Sequence, residues 1–123
     1  MNRTKKTKSK SPKKRPDKYY YYPKKWTIGP KQWRIRYSNN MMPTDDGECS
    51  NPDDVNRTIR IRRGLEDKRE GEVCAHEIIH AAVWSLDEEI VTMLAENITE
   101  FLWRIGWRKV YQKPTKSSRK KKK

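Results

Sequence analysis

His76 and His80 are the only histidines in this chain, and they stand four residues apart with Glu77 directly after the first. On a helix a spacing of four returns to within about 40° of the same direction, so both imidazoles can reach one ion from a single face. Glu77 then lies beside them as a candidate base. Two histidines and this chain's nine glutamates placed at random would give this H-E-x-x-H arrangement in about one chain in a thousand, so the pattern points to a metal-binding helix. The rest of the chain must hold that helix and complete its ligand set.

Composition leaves room for one small domain: 123 residues, 33% hydrophobic and 37% charged. The charge is uneven, because residues 1–25 carry 11 Lys or Arg against the single acid Asp17, and residues 113–123 carry 7 basic residues and no acid. The two ends therefore supply +17 of a net +14, and residues 26–112 supply −3. We expect a basic, mostly disordered arm over 1–25, a compact domain over 26–112 and a disordered Lys-rich tail over 113–123. A mildly acidic domain argues against a nucleic-acid groove of its own, and leaves nonspecific nucleic acid held by the tails as the partner the charge allows. There is no run of 18 apolar residues and no apolar stretch behind the basic start, so an intracellular, cytoplasmic monomer without a membrane is expected. Two cysteines, Cys49 and Cys74, fit a reducing compartment without a bridge. Tyr19 to Tyr22, closed by Pro23, reads equally as a base-stacking platform or as a strand or flap over the domain.

Period-2 alternation marks two strands. Trp33-Arg34-Ile35-Arg36-Tyr37 alternates large apolar with basic residues, with Trp26 to Ile28 as an extension before Gly29-Pro30, and Thr58-Ile59-Arg60-Ile61-Arg62 alternates again. Residues 38–56 between them hold Asn39-Asn40, Pro43, Asp45-Asp46-Gly47 and Asn51-Pro52, and read as one long loop. The second strand is either an ordinary sheet strand or a cleft wall whose free edge takes an extended peptide. A capping box at Asp67 and Glu70 starts a helix that runs to about Ser85, weakened in its first turn by Gly71. Asp87 caps a second helix from Glu88 to about Ile105, stopped by Gly106, on which Ile90, Val91, Leu94, Ile98, Phe101, Leu102 and Ile105 form one apolar stripe. So short a connection makes the helices antiparallel. Trp107 to Tyr111 reads as a last short strand. The expected fold class is α+β, a small antiparallel or mixed β-sheet packed against two antiparallel helices.

A catalytic zinc takes three protein ligands and keeps one position open. With no third histidine, the remaining ligand must be an acid or a cysteine, and the start of the second helix offers Asp87, Glu88 and Glu89. Glu88 lies about 100° from the middle of the apolar stripe and Glu89 about 160°, which favours Glu88 over Glu89, while Asp87 serves as a cap. Favourable charge at a helix N-terminus explains all three acids equally well. Cys74 points about 160° from His76, so a Cys49–Cys74–His76–His80 structural site is disfavoured. One Zn2+ on His76, His80 and Glu88, with Glu77 as general base, predicts zinc-dependent hydrolysis of a peptide or protein substrate. Tyr37, Arg62, Arg108 and Tyr111 are candidates to stabilise the transition state. The alternative is a noncatalytic, zinc-stabilised module that associates with nucleic acid through its basic tails.

Beyond the motif, the runs Gly47-Glu48-Cys49, Arg60-Ile61-Arg62-Arg63-Gly64-Leu65, His76-Glu77-Ile78-Ile79-His80-Ala81, Leu86-Asp87-Glu88-Glu89-Ile90-Val91, Leu94-Ala95 and Leu102-Trp103-Arg104-Ile105-Gly106-Trp107 carry a resemblance. Over about residues 33–108 the chain resembles the small H-E-x-x-H metallopeptidase-like proteins of phage genomes, similar in layout to the minigluzincins. The resemblance implies a sheet followed by two helices and a zinc metallopeptidase of the gluzincin kind. It implies zinc on His76, His80 and Glu88, with Glu89 next in line. Gly71 departs from the apolar residue usual there, and the basic arms and tyrosine run lie outside the resemblance. SprT-like DNA-associated metalloproteases share H-E-x-x-H but use a third histidine, which this chain lacks.

Overall fold

The computed structural model describes residues 23–42 and 44–110, together with the backbone path of 5–8. In chain order the elements are β1 (Lys5–Lys8), β2 (Lys25–Ile28), β3 (Lys31–Ser38), β4 (Asp45–Cys49), β5 (Thr58–Arg62), α1 (Asp67–Ala82) and α2 (Glu88–Arg104). The fold is α+β, as expected, with a mixed sheet. Its four-strand body runs β4-β5-β3-β2, with β5 antiparallel to β4 and parallel to β3, and β2 antiparallel to β3. The backbone of β1 runs antiparallel along the outer edge of β4, Lys5 opposite Cys49.

The alternating segments form strands because each supplies an apolar face to one core. Trp33 from β3, Ile59 and Ile61 from β5 and Cys49 from β4 are buried together with Leu65, Val73 and Ala81. The opposite sheet face exposes Arg34, Arg36 and Arg60. Helix α1 packs on β4 and β5, and α2 packs on α1, so the layers run sheet, α1, α2. The helices are antiparallel: Lys68 early in α1 pairs with Glu100 late in α2, and His80 late in α1 meets Glu88 at the start of α2.

Several expectations are corrected. Residues 38–56 are not a single loop, because β4 lies inside them and is buried without an apolar pattern. Its Asp46 is fully buried and accepts from Arg62 Nε at 3.2 Å and Arg69 Nε at 2.9 Å, so two guanidiniums compensate the carboxylate and pin β4 to β5 and α1. Strand β5 has no free edge, since β3 and β4 flank it. Trp26 to Ile28 do not extend β3 but form β2, which hairpins onto it through Gly29-Pro30, with Gly29 at φ 59°. Asp67 is the first residue of α1 rather than its cap; Glu66 holds the cap position without a side-chain bond, and the helix ends at Ala82 instead of Ser85. Asp87 does occupy the N-cap of α2, also without a side-chain bond.

Residues 107–110 form no strand. Gly106 at φ 102° lets Gly106 N donate to Trp103 O and Trp107 N to Leu102 O, closing the last turn of α2. Arg108 stacks 3.6 Å from the Trp103 ring, and Lys109 donates to Glu70 at 2.6 Å, which folds the segment back on the helices. Within the arm expected to be disordered, the backbone of β1 is a strand, for which β4's open edge supplies the partners, and Lys25 already belongs to β2. Tyr19 to Tyr22, Tyr111 and the tail over 113–123 lie outside the described residues.

Candidate metal centre

His76 and His80 lie in the second half of α1, one turn apart, and both are buried. Their rings meet edge to face with centroids 4.7 Å apart, bringing the two Nε2 atoms within 3.0 Å. The connection from α1 to α2 then places Glu88 over them. Its Oε2 lies 2.8 Å from His76 Nε2 and its Oε1 lies 2.9 Å from His80 Nε2. Glu88 is half exposed, which leaves the group open to solvent on the α2 side.

The position of Glu88 follows from packing. Val91, Ala95 and Thr99 are the residues of α2 buried against α1, and Glu88 stands three residues before Val91 on the same side. Asp87 and Glu89 are exposed and do not join the group. Among the described residues His76, His80 and Glu88 form the one set of three or more His, Cys, Asp or Glu side chains that could hold a metal ion. Cys74 instead lines an apolar cavity of about 230 Å³ with Ile35, Ile59 and Ile78, where burial, followed by the Glu70 charge, pushes its thiol up to about 12. Cys49 is buried in the core.

The donor set fits a divalent ion. Bonds of ~2.0–2.1 Å to a tetrahedral ion set ligand atoms roughly 3.3 Å apart; here the two Nε2 atoms lie 3.0 Å apart, Glu88 presents a different oxygen to each at 2.8 and 2.9 Å, and one donor atom from each residue falls within 4.8 Å of the others. Burial is the leading influence on His76 and lowers its pKa, against the opposing pull of Glu88, so the ring is held toward the neutral form that ligates metal. Trp84 stands edge-on to His80 with centroids 6.3 Å apart and supplies part of the apolar wall.

Glu77 is fully buried, and its carboxylate is directed at β4. A Cβ on Gly47 would lie 2.9 Å from Glu77 Oε2 and 2.6 Å from Val73 Cγ1, so α1 can approach β4 this closely only at a glycine. Gly47 is thus part of the site's architecture, whereas the residue pattern alone marks it as turn chemistry and the resemblance includes it without a role. The transition-state candidates lie elsewhere: Arg62 is bound to Asp46 and to the Met42 carbonyl, Arg108 to Trp103, and Tyr37 lines the cavity beside Cys74.

Searches against protein families, curated proteins and solved structures found no match to this chain. No helix among the described residues is long and apolar enough to cross a membrane.

Proposed function

We propose that the chain is a zinc-dependent peptide hydrolase, with zinc held by His76, His80 and Glu88 and with Glu77 as general base. The convergence of three donors from two helices, 2.8–3.0 Å apart, carries this reading. Two imidazoles and one carboxylate are a ligand set of catalytic zinc, which when bound polarises a carbonyl and acidifies water. Glu77, next in sequence to His76, accepts the proton of the attacking water and delivers it to the leaving amine. An extended peptide would pair with the outer edge of β4, the line along which β1 runs, and would there lie over the helix that carries the histidines. The minigluzincin resemblance agrees with this assignment.

The test is metal analysis and peptide hydrolysis on the same preparations. Wild type should hold about one zinc, His76→Ala, His80→Ala and Glu88→Ala should lose it, and Glu77→Gln should keep zinc while losing hydrolysis. Undiminished hydrolysis by Glu77→Gln would sink the mechanism.

A second reading has its own support: Glu77 is fully buried and the chain ends carry +17. On that reading zinc stabilises a noncatalytic module held on nucleic acid by its basic ends. It expects zinc without hydrolysis, and binding that weakens steeply with salt.

A further inference from the structure

Helix α2 is apolar over more of its circumference than the fold uses. Val91, Ala95 and Thr99 face α1, yet Ile90, Leu94, Ile98, Phe101 and Ile105 form a second line beside them. Phe101 is 65% exposed, and Ile90, Ile98 and Ile105 are exposed as well. Among the described elements α1 is the substantial neighbour of α2, and it covers the other side.

We propose that this line is a homodimer interface, in which α2 of one copy lies antiparallel on α2 of a second copy about a two-fold axis. Area is the first reason. The five side chains leave roughly 400 Å² of apolar surface, a patch of the size that on a monomer is often functional, and one that with a polar rim can form the core of the ~800 Å² each partner gives to a standard interface. Charge is the second: outside the metal group the helix begins with Asp87 and Glu89, and it ends with Arg104. A two-fold axis sets each acidic start against the partner's basic end and opposes the helix dipoles.

The line is also self-complementary in register. Its midpoint falls between Asn97 and Ile98, so antiparallel pairing matches Ile90 with Ile105 and Leu94 with Phe101 of the second copy. Asn97 then sits beside the axis, where one polar residue among apolar ones fixes alignment. The line lies about 120° round the helix from Glu88, which keeps the metal group out of the interface.

Sedimentation of the full chain over a concentration series should show a dimer. Phe101→Glu should weaken it by about 100-fold or more and leave metal content unchanged, so its failure is separable from any failure of the metal site. Asn97→Cys should cross-link on oxidation, and Ile90→Cys alone should not, because its twin would lie about 20 Å away. Ile90→Cys with Ile105→Cys should cross-link. A monomer at every concentration overturns the proposal, as does a dimer indifferent to Phe101→Glu or one that cross-links through Ile90→Cys alone. A chain that dimerises only after residues 111–123 are removed assigns the line to its own tail and overturns it equally.

Discussion

Gly47→Ala tests the closest approach between the helix that carries the histidines and the sheet. The added Cβ would stand 2.6 Å from Val73 Cγ1, 2.9 Å from Glu77 Oε2 and 3.0 Å from Glu77 Cγ. Ordinary contact lies near 3.5–4.0 Å, so about 1 Å must be found in a region where Val73 and Glu77 are both fully buried. Overpacking of this kind costs about 1–3 kcal/mol, offset in part by the roughly 0.5–1 kcal/mol that a strand gains when glycine becomes alanine. The net expectation is a loss of about 1–2 kcal/mol, or a fall in melting temperature of about 4–8 °C for each kcal/mol in a domain this small. Val73→Ala removes the nearest atom, so the double variant should be more stable than the sum of the single losses, with a coupling of at least ~0.5 kcal/mol. Urea unfolding with fitted slopes reads all four proteins. Because neither His76 nor His80 is among the nearest atoms, metal content should hold, and on the proposed activity hydrolysis should fall through displacement of Glu77. A Gly47→Ala protein as stable as wild type, or a strictly additive double variant, refutes the close-packing account.

Gly71 is the opposite case: a Cβ there would meet Thr99 Cγ2 at an ordinary 3.9 Å, so Gly71→Ala should raise stability by about 0.5–1 kcal/mol, and a fall in melting temperature would contradict the open space. The Glu100 carboxyl is held at about 2, below its ordinary 4.5, first by the hydrogen bond from Lys68 and then by that from Arg104. A depressed folded pKa gives stability that is complete above 4.5 and lost as the pH falls toward 2, so acid should loosen the helix pair across that window. Glu100→Gln should flatten that part of the unfolding midpoint against pH, and an unchanged profile would dismiss the contact. Stripping metal with a chelator should lower the melting temperature, since an ion that binds only the folded site adds about 2.7 kcal/mol at 100 times its dissociation constant; equal melting curves with removal verified by metal analysis would count against the site. Removing residues 1–22 takes β1 off the edge of β4, so on the proposed activity hydrolysis of a free peptide should quicken, and a slower or equal rate would show that β1 does not occupy the substrate line.

What the sequence made legible was what is local. H-E-x-x-H needs only one helix to be meaningful, and Glu88 could be named because it begins the next helix after a short connection that must fold back. β3 and β5 were readable because each buries one face and wets the other. β4 was not, since Asp45-Asp46-Gly47-Glu48-Cys49 has no β-branched or aromatic residue, and its burial rests on Arg62 and Arg69, which lie 16 and 23 residues away from Asp46. The neighbours of β5 were equally hidden, because pairing partners are set between distant segments rather than within one. Gly47 looked like a turn residue for the same reason: only the approach of Val73 and Glu77 makes its missing side chain matter.

Helix α2 shows a different limit of periodicity. Its apolar residues span about half of the helical circumference, and the middle of the stripe expected through Ile90, Val91, Leu94, Ile98, Phe101, Leu102 and Ile105 lies about 80° from the face that packs on α1. The face that packs is Val91, Ala95 and Thr99, smaller and partly polar, because a close helix pair is what lets Glu88 reach His76 and His80 within 2.9 Å. Large side chains at those three positions would lift α2 away and pull the third donor off the histidines. The helix therefore divides its surface: small residues toward α1 set the spacing of Glu88 from His76 and His80, and the large apolar residues that cannot fit there are left outward, where on the proposed dimer a second copy covers them. Ala95→Leu follows from that division as the sharpest probe of the first half, since it should weaken metal binding without touching any ligand, and it should leave the outward line and its self-association intact.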